Sequence, residues 1–437
     1  MRVLIVSHNC ISSTTNMGKT LLSYFREFPP EDLAQLYVHC EEPTDSSLCR
    51  NYFRFTDLDA LLSRVCPGDR GRIFGPDHDY AAQTYPRTDR GLLRCAYRYG
   101  EQRRAVGYAL REQLWKGSRW HTGKLERWLE EFQPDAVFFA SGDYGFSYEI
   151  ARTVAQSRKI PLAVCCVDEY YLHNRNEASF LGRWVHRRFL NQVEKTMAYA
   201  SVIFTICEPL KDLYGPMFCK PCTVLHTAAQ TAEPEETGQG RGVVYLGKLE
   251  LGREAQLLAI GRALRKLNLS GGPDYLDVYS WDRGEAITER MPEESGIVYH
   301  GGVSGEKAGE ILRNSLAVIH TESFEPEMQA ITRYSVSAKI PDCLMAGPCL
   351  IAYGPEGIAS VDYLKTHRAA YIISREELLE AGLGEILTDG ALRAEIGEMG
   401  RKLARENHCG AAVSAGLRGK LEEICEKQTA SDKKNMG

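Results

Sequence analysis

The sequence predicts an α/β protein of two doubly wound, Rossmann-like domains, and three observations carry that expectation. Short continuous apolar runs recur along the chain, as strands buried on both faces require. Helical patterns separate them, the alternation expected of a mostly parallel sheet. One stretch near the middle, 230–242 (QTAEPEETGQGRG), loses apolar periodicity and splits the alternation into two series. At 437 residues the chain exceeds one core and suits two domains of about 200 residues each. The expected divisions are 1–229, a linker at 230–242, 243–410, a last helix over 411–427, and a polar, disordered tail at 428–437.

With 43% hydrophobic and 25% charged residues the composition is that of an ordinary globular chain. A net charge of −5 argues against a polyanion binder by overall charge. The fourteen cysteines are scattered, several inside apolar runs such as Cys165-Cys166 and Cys349, and no signal-peptide pattern opens the chain. Reduced thiols and a cytoplasmic location are therefore expected. Cys219 and Cys222 form a lone C-x-x-C without a second ligand pair, and read as structural rather than zinc-binding. No apolar run approaches the roughly 18 residues of a membrane span.

In the first series, 1–8 (MRVLIVSH) reads as the opening strand, with a polar loop to Asn16 and a helix from Met17 to about Phe28. Gly18-Lys19-Thr20 invites a phosphate-loop reading, but that motif needs a glycine five residues earlier, where Ser13 stands. A second strand is expected over 35–39, and an irregular excursion over 66–91. Residues 86–128 hold eleven Lys/Arg against four Asp/Glu, interleaved with Tyr97, Tyr99, Tyr108, Trp115, Trp120 and Trp128. That mixture suits peripheral contact with an anionic membrane; no nucleic-acid module accompanies it, and inward-packed aromatics are the plainer alternative. The strand 136–140 ends in Ser141-Gly142-Asp143, and the strand 160–167 in Asp168-Glu169. Polar groups at carboxyl ends of parallel strands face the ligand crevice, which makes Asp143 and Asp168 candidate catalytic groups, with Ser141 and Glu169 beside them. A helix over 181–199, a strand over 202–205 and, after 206–209 (ICEP), a helix toward Tyr214 complete the series.

The second series opens with the strand 243–247, followed by Lys248 and Arg253 across the turn into a helix over 253–267. Strands are expected at 276–281, 316–320, 349–353 and 371–374, and helices over 375–381, 391–407 and about 411–427. The stretch from Ser335 to Gly357 (SVSAKIPDCLMAGPCLIAYGPEG) is the most informative. Ser335 and Ser337 stand where they would cap a helix whose free N–H groups face an anion. Lys339 adds a cation in the first turn, with Asp342 three residues on. Gly347-Pro348 closes the helix, and Cys349–Tyr353 has the character of a buried parallel strand.

The pattern S-x-K-I-x-D-x-L-x-A-G-x-x-x-I-A resembles the donor motif of family 4-type glycosyltransferases of the GT-B fold, closest to the bacterial branch that assembles surface polysaccharides. The resemblance covers the second series in order and the first more loosely. It implies two domains facing a cleft, with the final helix crossing back to the first domain. It further implies a hexosyl-type transfer from a nucleoside-diphosphate donor, UDP in particular, to a glycan or lipid-linked acceptor, with no metal and no other cofactor. Asp342 would meet the ribose, although relatives more often carry Glu there. Lys248 and Arg253 would clamp the diphosphate, in reversed order from the usual Arg then Lys. Gly18 in the first loop, with Asn16 and Lys19, would approach donor or acceptor, and the loop to Val303 would meet the base. Glu322, with Glu325 in reserve, would meet the transferred sugar, but the family's E-x7-E spacing counted back from Asp342 falls on Tyr334. Relatives also carry a histidine near position 143 that this chain lacks. Two alternatives stay open: a UDP-sugar 2-epimerase of the same fold, and a catalytically silent homologue that docks with another transferase.

Overall fold

Val3–Ser7 is apolar until its last residue and buried throughout, and as strand β1 it forms the middle of the first sheet. It belongs to a computed structural model that describes residues 1–12, 16–44, 46–66, 68–78, 80, 105–116, 118–172, 179–230, 240–269, 272–282, 287 and 292–436. The chain forms two compact units, one of Met1–Leu225 with Val413–Gly437, the other of His226–Ala412. Of the expected linker at 230–242, residues 231–239 lie outside the described residues, as do 86–104 of the basic, aromatic segment.

In the first unit β1 is followed by α1 (Asn16–Tyr24), β2 (Leu33–Tyr37), β3 (Tyr52–Arg54), α2 (Asp57–Val65) and β4 (Arg72–Phe74). Next come α3 (Ala105–Lys116), α4 (Gly123–Phe132), β5 (Ala136–Ala140), α5 (Gly145–Arg158) and β6 (Leu162–Cys166). The unit continues through α6 (Phe180–Tyr199), β7 (Val202–Thr205), α7 (Glu208–Phe218) and β8 (Cys222–Val224). The sheet order is β4-β3-β2-β1-β5-β6-β7-β8, parallel apart from the antiparallel β3–β4 edge. Strand order therefore reverses between β1 and β5, the switch point at which open α/β sheets bind ligands.

The second unit runs through β9 (Val243–Leu246), α8 (Arg253–Leu267), β10 (Leu276–Tyr279), α9 (Pro292–Ser295) and β11 (Ile297–Tyr299). It continues with α10 (Gly305–Arg313), β12 (Ala317–Thr321), α11 (Pro326–Thr332), α12 (Ile340–Ala346) and β13 (Cys349–Tyr353). It ends with α13 (Ala359–Thr366), β14 (Tyr371–Ile373), α14 (Leu379–Thr388) and α15 (Gly390–Asn407). The order β11-β10-β9-β12-β13-β14 is that of a six-stranded, all-parallel dinucleotide-binding sheet. Its switch point lies between β9 and β12. Alternate strand residues feed two cores: Val243, Ile319 and Ile351 on one face, Val244, Val318 and Leu350 on the other. Helices cover both faces, so neither face of the strands is solvated.

Some expectations are corrected. The second strand is Leu33–Tyr37, two residues earlier than read, because Pro29 and the 3-10 turn at Pro30–Asp32 set its start. The stretch read as an irregular excursion contains β4, whose antiparallel pairing to β3 supplies hydrogen bonds that periodicity does not announce. The last helix, α16, spans Gly410–Met436, where a tail was expected from 428. No proline or glycine interrupts it after Gly419, and Lys420–Glu423 and Glu423–Lys427 pairs brace it. Its residues from Val413 on pack in the first unit, where Ser414 Oγ accepts from Glu27 N at 3.1 Å. No helix among the described residues is long and apolar enough to cross a membrane.

Candidate functional site

The second unit's switch point is built from the turn that leaves its central strand. After β9 the chain must reverse within a few residues to start α8, and Leu251 and Gly252 both take left-handed conformations, with φ of 62° and 76°. A Cβ on Gly252 would stand 2.5 Å from Ser323 Oγ, so only glycine lets this turn press against the loop after β12. Tyr245 OH donates to Lys248 O at 2.5 Å, Gly247 N to Tyr279 O at 3.1 Å, and Leu249 N to Asp282 Oδ2 at 2.9 Å. The turn is thus held along its length.

That geometry delivers Arg253, the first residue of α8, to the end of β12. Its Nη2 donates to both oxygens of Glu322 at 3.2 Å, and its Nε to Thr321 O at 3.3 Å. His320 Nε2 lies 3.3 Å from Glu322 Oε1. The Glu322 side chain is 2% exposed and that of Arg253 17%. Burial pushes the Glu322 carboxyl up, but His320 and Arg253 outweigh it and hold it below its ordinary value. Among the described residues Arg253 Nη1 makes no hydrogen bond, so a cation held by a buried carboxylate keeps one donor group in hand. Such an arrangement has a donor group that an anion could accept from.

The structure brings Arg253 and Glu322 together, and does not bring Lys248 to them. Lys248 is half exposed, with Nζ 3.6 Å from Glu250. Glu325 is exposed at the start of α11, whereas Glu322 has both oxygens engaged by Arg253. Val303 follows β11 and is partly buried behind Gly301 and Gly302. The expected capping by Ser335 and Ser337 is corrected. Helix α12 starts only at Ile340, has Pro341 in its first turn and receives no side-chain cap. Ser337 N and Ser335 O instead bond Ser360 Oγ, each at 3.1 Å. Lys339 is exposed, and Asp342 Oδ1 accepts from Gln230 N at 2.7 Å. Gly347 ends the helix at φ 97°, as a left-handed closing glycine should.

The first unit's switch point holds a second cluster, most of which sequence reasoning missed. His8 follows β1 directly, and both terminal nitrogens of Arg111 from α3 lie 3.1 Å from its Nε2. Arginine can only donate, so Nε2 is the acceptor and the ring carries its proton on Nδ1. Burial, reinforced by Arg111 and His39, pushes His8 down to about 3, which keeps it neutral. Asp57 Oδ1 accepts from Arg111 Nε at 2.9 Å and from Trp115 Nε1 at 2.7 Å. Tyr144 stacks on His8 and on Tyr108 and lies under the Arg111 guanidinium at 4.1 Å. Asp143, one of the sequence candidates, accepts from Tyr108 OH at 2.6 Å. Ser141 is buried, and its Oγ has no hydrogen-bond partner among the described residues. Glu169 is occupied by Tyr214 OH at 2.9 Å and Leu172 N at 2.6 Å, and Asp168 is partly buried after β6. Gly18 is buried in the first turn of α1, with Lys19 partly exposed beside it. Trp115 and Trp128 are 2% and 3% exposed, so the described half of the basic segment turns these rings inward rather than toward a membrane.

No family model matches the chain, and no curated protein matches it in sequence. Solved structures do match in fold. HepE of Anabaena in complex with UDP is similar over 97% of this chain and 100% of its own, with a TM-score of 0.59 and 10% identity. Sucrose-phosphate synthase of Thermosynechococcus elongatus is similar over 97% and 99%, with a TM-score of 0.59 and 9% identity. The UDP-forming trehalose-phosphate synthase of Burkholderia xenovorans, solved with glucose-6-phosphate, is similar over 97% and 100%, with a TM-score of 0.57 and 10% identity. The chain has the two-domain, parallel-sheet GT-B fold.

Proposed function

We propose that this chain is a glycosyltransferase that takes its sugar from a UDP-sugar. The observation that carries the reading is Arg253, presented by a glycine-dependent turn at a topological switch point and braced by buried Glu322. A diphosphate leaving from C1 of a sugar gains negative charge as the bond breaks, and a pre-positioned arginine stabilises that charge more in the transition state than in the substrate. In this reading Glu322 is a positioning residue for Arg253. Lys248 supplies the second cation by moving from Glu250, Asp342 and Lys339 face the ribose and sugar phosphates, and Glu325 is the exposed carboxylate on the sugar side. The proteins of like fold support the donor class, since HepE was solved with UDP and with UDP-glucose.

On the acceptor side we infer that the aromatic cluster of Tyr108 and Tyr144 borders the glycan, with Asp143 as the polar group beside it; Asp168 is the alternative. The resemblance to family 4-type enzymes favours retention of configuration. The acceptor oxygen would bond to C1, the C1–phosphate oxygen bond would break, and the acceptor proton would pass to the leaving phosphate. That route needs no strong protein base and no metal. A lipid-linked or glycan acceptor of surface-polysaccharide synthesis remains the proposed class. The test is a thermal melt with UDP, GDP and ADP, each with and without EDTA. A ligand at a hundred times its dissociation constant adds about 2.7 kcal/mol, a visible shift. A rise with UDP that ignores EDTA is expected; no rise with any nucleotide would remove the reading and favour a silent homologue.

A further inference from the structure

In the second unit two large apolar side chains stand exposed among the described residues, Leu378 at 39% and Trp281 at 80%. Trp281 is the anomaly, because the backbone around it is fastened while the ring is left in water. Ser280 N donates to Gly301 O at 3.1 Å, and Asp282 N to Ser280 Oγ at 3.1 Å. Tyr299 OH reaches Ser280 O at 2.9 Å and Asp282 O at 2.7 Å, and the Asp282 carboxylate holds Leu249 N at 2.9 Å. The residues on both sides of the tryptophan are therefore tied to β11 and to the turn that presents Arg253. A loop held this firmly does not leave an indole outside by looseness.

The ring also has a defined orientation. A Cβ on Gly302 would lie 2.0 Å from Trp281 Cδ2, and 2.4 and 2.5 Å from Cε2 and Cε3. The shortest distance is to a fused-ring atom, with the two flanking atoms nearly equal, so the glycine stands over the ring face and not its edge. Any other residue at 302 would push the ring away. One face of the indole is backed by main chain, and with Trp281 80% exposed the opposite face is open among the described residues.

Trp281 follows β10, the second strand in the order β11-β10-β9-β12, at the carboxyl edge of the sheet. The switch point lies between β9 and β12, so β10, which the ring follows, runs about one and a half strand spacings, roughly 7 Å, from it. In sheets of this order the phosphates sit at the switch point and the nucleoside extends toward the second strand. An open, backed indole in that place is a stacking surface. We propose that Trp281, held against Gly302, is the platform on which the base of the nucleoside-diphosphate donor stacks.

The proposal rests on the donor reading above and deepens it. Stacking is tolerant of base identity, so Trp281 supplies affinity, and the choice of uracil falls to hydrogen-bonding groups of the neighbouring loop to Val303. The experiment titrates the full chain with UDP and, separately, with inorganic pyrophosphate, which carries no base. In Trp281→Ala the dissociation constant for UDP should rise about tenfold, with pyrophosphate binding unchanged. Trp281→Phe should bind UDP near the wild-type level and lose the quenching of indole emission that UDP causes in the wild type. Gly302→Ala, which displaces the ring without deleting it, should weaken UDP as Trp281→Ala does. Wild-type UDP affinity in Trp281→Ala would overturn this proposal and leave the donor reading standing. A wild-type protein that binds pyrophosphate and UDP equally would also overturn it. Failure of the wild type to bind either would remove the donor reading and this proposal together.

Discussion

The two switch points solve one problem with different surroundings. Each brings an arginine to the carboxyl end of a central strand, binds it to a carboxylate and sets a histidine against the pair: Arg253, Glu322 and His320 in the second unit, Arg111, Asp57 and His8 in the first. Around Arg253 the neighbours are small, with Gly252 against Ser323 and Gly354 against Glu322. Around Arg111 they are rings, with Tyr144 and Phe146 under the guanidinium and Trp115 on its aspartate. Small neighbours let a compact, charged group approach an arginine closely; rings cover it and offer flat apolar faces. The topology gathers charge at both places, and the residues next to that charge decide what it can receive.

The contrast can be broken first by removing the cation of the second unit. Glu322 is far more buried than Asp57, at 2% against 28%. Arg253→Ala leaves that buried carboxylate without its partner, a loss of about 3–5 kcal/mol in urea unfolding. Arg253→Met with Glu322→Gln should recover most of it. Asp57→Asn in the first unit should cost less, about 1–3 kcal/mol, because water reaches the vacated site. Equal losses would mean that the two pairs do not differ as described.

Acid separates the two switch points more gently. A histidine whose folded value is lowered refuses a proton that the unfolded chain accepts, so stability falls as pH drops below about 6.5. His8 sits down at about 3, so between pH 6.5 and 5 it should cost about 2 kcal/mol, at 1.36 kcal/mol per unit. His408, clasped between Thr227 O at 2.7 Å and Tyr363 OH at 2.9 Å and pushed down to about 4, acts in the same window. Glu322 has a lowered carboxyl, so its contribution is present above about pH 4.3 and lost only as pH falls further. His8→Gln should flatten the slope between pH 6.5 and 5 and leave the loss below pH 4.3. An unchanged slope would show that His8 is protonated in the folded chain. The smallest effect on stability is expected of Lys248→Ala, within about 0.5 kcal/mol, while UDP binding weakens; unchanged binding would remove Lys248 from the donor site.

Much of the fold was legible because strands buried on both faces must be continuously apolar. Cys349–Tyr353 and Ala136–Ala140 stand where the sequence placed them, and Gly347 takes the left-handed form a helix end requires. The failures share a cause. The Ser337 cap looked sound locally, but Pro341 and the hydroxyl of Ser360 redirect that segment, and Ser360 lies 23 residues away. Arg253 was a visible candidate; its engagement by Glu322, 69 residues on, was not. His8 was read only as the end of a strand, and Arg111 only as one charge in a basic run, because their contact spans 103 residues. Strand order alone joins them, and strand order is not written in local pattern. The capping box of Thr56 and Asp59 was readable and would have marked α2, the helix that carries Asp57 into the cluster.

The most direct test of the account is a calorimetric titration of UDP into the wild type and into the Arg253→Met, Glu322→Gln double variant, which keeps the switch point filled and uncharged. The account predicts saturable binding to the wild type and at least a tenfold weaker constant in the variant, with its melting temperature close to the wild type's. UDP binding of equal strength in both would contradict it, since the second unit's switch point would then have no part in holding the diphosphate.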